Sequence, residues 1–250
     1  MRTRNLTAAA LFALATGLAA SPASAEEEAA ANPFTVSGGA TLVSDYRFRG
    51  ISQTDKRVAL QGTFSVAHES GFYATVWGSS IDDYVYNGAD QEVDFILGYR
   101  RTFGGTTIDG GLLYYYYPNS GGIASDFVEP YISVAHTFGP VTAKVTANYA
   151  PEQAALAVGG SKQDNLYLAG DLSATIPETP ISLTAHLGHS YGPSYLTIGN
   201  GYTDWSLGAS ATWNHVTVGV AYVDAEGVFT TPSGRDAAKG GVVASLGVSF

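Results

Sequence analysis

The sequence predicts an all-β fold: a closed antiparallel transmembrane barrel of about twelve strands behind a cleaved N-terminal export signal. Three observations carry the prediction. Segments of about ten residues alternate apolar and polar side chains at period two, the strand period. Their connections alternate between tight turns and longer polar loops. Beyond residue 25, no apolar run is long enough for a helical membrane span.

The elements follow in chain order. Arg2 and Arg4 precede an apolar run, Leu6 to Ala20, and Ala23-Ser24-Ala25 has the A-x-A form of a cleavage site. The mature chain is therefore expected to begin at Glu26, after a Sec-type signal. Residues 26–33 read as a short periplasmic segment and 34–250 as the barrel. Without Arg2 and Arg4 the mature chain has ten basic residues against 22 acidic ones, a balance of −12. That charge excludes nucleic acid as a partner, because phosphates demand clustered Lys and Arg. Zero cysteines exclude a disulfide framework.

The first strand runs from Phe34 to Arg49. Its even positions (Phe34, Val36, Ala40, Leu42, Tyr46, Phe48) are largely apolar, and Asp45, Arg47 and Arg49 fall on the other face. The next segments repeat the pattern near 57–66, 72–79, 92–100, 107–116 and 128–134. Val93, Phe95, Leu97 and Tyr99, for example, oppose Glu92, Asp94 and Arg100. The second half continues near 141–149, 165–176, 181–187, 204–213, 216–222 and 242–250. There Leu166, Leu168 and Leu172 oppose Asn165, Tyr167 and Asp171.

Tight turns fall at 68–71, 102–105, 138–140, 177–180 and 213–215; longer loops are expected at 79–91, 150–164, 190–203 and 224–240. An even strand number with short turns at one end and long loops at the other is the plan of outer-membrane barrels, because a sheet in lipid must close on itself. A soluble sandwich also alternates. Here, however, the polar face is mostly small Ser, Thr, Gly and Asn, and aromatics gather near strand ends, where membrane girdles lie.

By parity, twelve ions face the lumen: Asp45, Arg47, Arg49, Arg57, Glu92, Asp94, Arg100, Asp109, Glu129, Lys144, Asp171 and Asp204. Pore selectivity follows from diameter and lining charge. Arg47, Arg49 and Arg57 are expected to cluster at the outer mouth on adjacent strands and favour anions, with Glu92 and Asp94 opposing them. Tyr46 and Phe48 are expected at the lipid interface. Catalytic readings are weaker. His186 and His189 are three apart on one strand, so they point to opposite faces, and no G-x-S-x-G is present. The acidic stretch 79–92 (Asp82, Asp83, Asp90, Glu92) lacks calcium-loop spacing and reads as a solvated outer loop.

Two stretches also carry a resemblance. "SGGATLVSDYRFRGISQTDKRVALQGTFSVAHESGFYATVWGSS", residues 37–80, resembles the start of the TorF-like family of proteobacterial porins. The C-terminal "VVASLGVSF" looks like the terminal-Phe signal read by the outer-membrane assembly machinery, with Phe250 as its last residue. The resemblance implies a barrel with a pore-like role; it carries over no substrate and no catalytic residue. The expected function is passive diffusion of small hydrophilic solutes through the bacterial outer membrane, with no cofactor and no metal. Expected partners are outer-membrane lipids, lipopolysaccharide, the barrel assembly machinery and the solutes themselves. The alternatives are an outer-membrane lipid-modifying enzyme and a non-conducting structural or adhesion barrel.

Overall fold

A computed structural model describes residues 32–197 and 200–250. The expected export signal, and most of the segment after it, lie outside the described residues. The strands in chain order are β1 (Phe34–Val43), β2 (Arg47–Phe48), β3 (Ile51–Ser52), β4 (Ala59–His68), β5 (Phe72–Ser80), β6 (Gln91–Phe103) and β7 (Thr106–Tyr116). They continue with β8 (Phe127–Phe138), β9 (Val141–Val158), β10 (Ser161–Thr175), β11 (Ile181–Tyr191), β12 (Tyr202–Trp213), β13 (Val216–Ala225) and β14 (Gly241–Ser249). All but β2 and β3 form one closed antiparallel barrel, each strand beside its neighbour in sequence, with β14 returning to β1. The twelve barrel strands match the twelve expected segments one for one.

The period-two pattern explains the outer surface. Apolar side chains such as Leu42, Leu60, Phe64, Leu97, Ile132, Val145, Leu187 and Val220 point outward and are exposed around the whole circumference. A continuous apolar belt on a sheet with no free edge is what lipid requires, since every spanning backbone group is paired within the ladder. At the short-turn end the belt is rimmed by Phe34, Phe72, Phe103, Phe138 and Trp213; toward the loop end it is rimmed by Tyr114, Tyr116, Tyr149, Tyr191 and Tyr222. These are the aromatic girdles of a spanning barrel.

Phe250 has a specific place in the closure. Gly38 N–H donates to the Phe250 carbonyl at 3.1 Å and Phe250 N–H donates to the Gly38 carbonyl at 3.0 Å. The terminal ring lies over the bare Cα of Gly38, where an added Cβ would sit 2.6 Å from its Cζ. Gly38→Val is therefore expected to force the ring off the seam and cost about 1–3 kcal/mol, an overpacking penalty. A lowered temperature for the heat-induced gel-mobility shift of the folded barrel would register it.

Two segments depart from the expected plan. The stretch 150–164 is not an open loop: β9 and β10 continue as a long hairpin, turned at Gly159 and Gly160, whose φ values are +59° and +84°. Register shifts near Ser161 and Gln163 mark bulges, which bend such an extension. Ala155 and Leu156 are buried in the cluster at the loop end. The second departure is larger. The first strand stops at Val43 rather than running to Arg49, and the chain then folds into the barrel as the small hairpin β2–β3.

Candidate functional site

The lumen wall follows the inward parity of the strands. Glu92, Asp94, Arg100, Asp109, Glu129, Lys144, Asp171 and Asp204 all lie on barrel strands with inward parity. Their contacts join neighbouring strands along the wall. Arg100 Nε donates to Asp109 Oδ2 at 2.8 Å, and its guanidinium lies 4.9 Å from the Tyr73 ring centroid. Lys144 Nζ is 3.3 Å from Asp171 Oδ2. His186 spans Asp171 (2.7 Å) and Asp204 (3.1 Å), and the Tyr167 hydroxyl donates to Asp204 Oδ2 at 3.0 Å.

Large rings are laid flat against this wall by glycines. Tyr73, Gly98, Gly111 and Tyr131 form one register row across β5, β6, β7 and β8. A Cβ at Gly98 would collide with the Tyr73 ring, and one at Gly111 would meet the Tyr131 ring edge at 2.9 Å. The two phenols meet hydroxyl to hydroxyl over these glycines, and Tyr73 donates to Asp109 at 2.7 Å. Gly188 accommodates Tyr167 in the same way. Gly188→Val would displace that ring, and the expected result is a loosened Arg49 seat (below), seen as faster hydrogen exchange in residues 44–57.

The hairpin enters the lumen at its loop end, where it meets Glu92, Glu129 and Asn165. Arg49 and Gly50, with φ of +47° and +79°, occupy its two-residue turn, and Phe48 pairs with Ile51. Positive φ at both turn positions is the hairpin turn whose twist matches its strands. For an arginine it costs about 1–2 kcal/mol, so the surroundings must hold it there. They do. Arg49 Nη2 donates to Glu129 Oε1 at 2.5 Å, Nη1 donates to Asn165 Oδ1 at 2.8 Å, and the guanidinium stacks 4.2 Å from the Tyr167 ring centroid.

The wall groups are themselves fixed. The Tyr115 hydroxyl (3.0 Å) and Asn148 Nδ2 (3.1 Å) donate to Glu129 Oε2, while Asn165 Nδ2 donates to the Tyr191 carbonyl at 2.8 Å. Arg49 and Glu129 are both buried, with side chains 4% and 0% exposed, so this ion pair is shielded from solvent.

The rest of the motif ties the hairpin down. Asp45 accepts from Arg47 Nε at 2.5 Å and from the Ser52 hydroxyl at 2.6 Å. Arg47 Nη1 also donates to the carbonyls of Gly50 (2.9 Å) and Ala237 (3.0 Å). Tyr46 donates to Glu92 at 3.0 Å and its ring packs on Trp77.

Over the hairpin lies an apolar cap in which Tyr86 stacks between Tyr117 and Tyr195, beside Ile81, Val85, Phe127 and Leu156. Asp55 latches the inserted segment to the 226–240 loop, accepting from the Thr231 hydroxyl at 2.7 Å and Arg235 Nη1 at 3.0 Å. Burial pushes the Asp55 carboxyl up, but the Ser233 and Thr231 hydroxyls and the Arg235 and Arg57 guanidiniums together hold it below the ordinary carboxylate range. A depressed folded-state pKa means the latch contributes fully above the ordinary value of about 4 and weakens as pH falls below it. Hydrogen exchange at residues 51–57 is expected to accelerate on that side.

Several sequence expectations change here. Arg47 and Arg49 are not on the wall of the first strand but on the inserted hairpin, because Ser44 begins a turn into the lumen. Tyr46 and Phe48 accordingly do not face lipid; Tyr46 is buried and Phe48 packs edge-on against Tyr115. Arg57 does not re-enter the lumen on the second strand. It precedes β4, is 63% exposed, and pairs with Asp82 at the rim. The three arginines therefore form no cluster on adjacent strands. The acidic stretch 79–92 diverges likewise, with Asp82 on Arg57 and Glu92 inside on Tyr46.

His186 faces the lumen network while His189 contacts Thr203 and Tyr191, the divergence expected of an odd spacing. Sequence reasoning did not single out Asn165, Tyr167, Tyr115 and Asn148. Their inward parity was readable, but uncharged residues gave no reason to choose them.

A family model described as "Bacterial protein of unknown function (Gcw_chp)" matches residues 27–250. No curated protein matches the sequence. Among solved structures, the NanC porin superposes with a TM-score of 0.58 at 14% identity, covering 86% of this chain and 99% of that one. The KdgM porin superposes at 0.56 and 10% identity, covering 86% of this chain and 98% of that one. At those identities the likeness establishes the shared barrel fold.

Proposed function

We propose that this chain, which belongs to the Gcw_chp family of bacterial proteins, is an outer-membrane channel for passive diffusion of small hydrophilic solutes. One observation carries the reading: a closed twelve-stranded barrel with an unbroken apolar belt outside and ionisable, largely hydrogen-bonded side chains inside. The shared fold with the NanC and KdgM porins supports it. So does the 37–80 motif, which is also the ground for the finer grouping with TorF-like porins. A chain exported by its first 25 residues, with 34–250 as the barrel and Phe250 as assembly signal, belongs to the same proposal.

The lumen charges set the direction of selectivity. Inside the barrel, Glu92, Asp94, Asp109, Glu129, Asp171 and Asp204 face four basic groups, Arg49, Arg100, Lys144 and His186, the last spanning Asp171 and Asp204; Arg47 and Asp45 offset each other. Six carboxylates against four basic groups favour the passage of cations. In planar bilayers under a KCl gradient the reversal potential is expected to carry the cation-selective sign, and D109N with D171N to move it toward zero. An anion-selective wild type would refute the charge argument.

The packed cap over the hairpin favours a second reading, a non-conducting barrel. The two separate on one result: absence of single-channel currents from both the wild type and a hairpin-less variant would establish the second.

A further inference from the structure

The Arg49 seat is built by the barrel wall, not by the hairpin that fills it. Glu129 comes from β8, Asn165 and Tyr167 from β10, and the groups that orient them from β7, β9 and β11. Tyr115 and Asn148 hold the second Glu129 oxygen at 3.0 and 3.1 Å. Tyr191 and Ser194 hold the Asn165 amide nitrogen at 2.8 and 3.1 Å, which aims its oxygen at the guanidinium. None of these contacts involves residues 44–57, so the seat keeps its shape when the hairpin leaves.

Its three elements match one chemical group. A buried carboxylate and an amide oxygen accept from separate arms of a planar fork, and an aromatic face 4.2 Å away stacks on its plane. An ammonium has no plane to stack and no fork to divide between two acceptors. The occupant, by contrast, sits on a connection that also strains its own backbone at Arg49 (φ +47°).

We propose that this seat is a binding site for guanidinium-bearing solutes, with Arg49 as a tethered internal ligand that such a solute displaces. Binding and opening are then one event: an arginine-like or agmatine-like cation that takes the seat leaves the hairpin without its central anchor. The site goes beyond the channel reading, and only its effect on conductance rests on that reading. Its affinity for free guanidinium does not.

The test therefore measures binding and current separately. Refolded R49A in detergent, checked for strand content by circular dichroism, is titrated with agmatine by calorimetry, with butylamine as the ammonium control. Agmatine is expected to bind R49A, to bind wild type more weakly because Arg49 must leave first, and to lose at least about thirtyfold in affinity in R49A/E129Q. Butylamine is expected to bind neither variant measurably.

Equal binding of agmatine and butylamine, or equal affinity in R49A and R49A/E129Q, would overturn the site. If R49A does not fold, a variant with an Asn-Gly turn in place of Asp45–Arg57, measured with and without E129Q, gives the same decision, because its seat is vacant in both. Loss of agmatine binding on the intact wall overturns the inference whatever the currents show. Binding without any current would retain the site and remove the channel reading alone.

Discussion

Glu129→Gln is expected to release the inserted hairpin and raise single-channel conductance several-fold while the barrel stays folded. The reason is an uncompensated charge. Arg49 and Glu129 meet at 2.5 Å with side chains 4% and 0% exposed, and removing one partner of such a pair leaves the other buried and unpaired. Breaking a buried pair typically costs about 3–5 kcal/mol. The wall cannot yield, because β8 is laddered on both sides, so the cost falls on the docked hairpin.

A reciprocal variant sharpens the result. R49M with E129L removes both charges and leaves apolar groups of similar bulk; the Tyr115 hydroxyl and Asn148 amide lose their acceptor, but both belong to the wall, so the hairpin should stay seated. Conductance is expected to rise in the single mutant and return toward wild type in the double. Equal conductance in all three would show that the hairpin does not close the lumen.

Replacing Asp45–Arg57 by an Asn-Gly turn is expected to give the largest conductance of all and a stronger cation preference. The operation is geometrically mild. Val43 and Ala59 are register partners, so the strand ends stand side by side and a short turn between Ser44 and Val58 can join them. Removing the hairpin takes Tyr46 and Phe48 out of the lumen along with Arg49, while all six inward carboxylates remain. Bilayer recording would show both effects, larger unit currents and a reversal potential further toward that of the cation. Unchanged currents would place the barrier in the aromatic cap of Tyr86, Tyr117 and Tyr195 instead.

The barrel was legible because its signal is local. Side-chain alternation at period two needs only neighbours in sequence, and it placed Glu92, Asp94, Glu129 and Asp204 on the inner face without knowledge of any partner. The hairpin was not legible for the same reason. Alternation continues from Asp45 to Arg49 as though the strand went on, and nothing between 44 and 57 says that the chain turns inward. Arg49-Gly50 is a two-residue turn, but arginine is not a residue that announces positive φ. What decides the fold there is Glu129, Asn165 and Tyr167, contributed from strands far along the chain. The extended β9–β10 hairpin escaped because its polar residues resemble loop composition, while its pairing depends on Ala155 and Leu156 finding the cap.

The same remoteness gives the hairpin a meaning in time. Its segment follows the first strand, yet its seat is incomplete until β8 and β10 stand in the wall, and Gly50 finally rests against Asp204 and Ala225 of β12 and β13. A chain that has laid down only its early strands offers Arg49 no carboxylate to meet. Docking therefore comes late in folding, after long-range closure, and a barrel with a misregistered β8 or β10 would leave its hairpin dangling and open to proteases. The seated arginine is in effect a receipt, issued by the far side of the barrel to the near side, that the wall between them has been built in register.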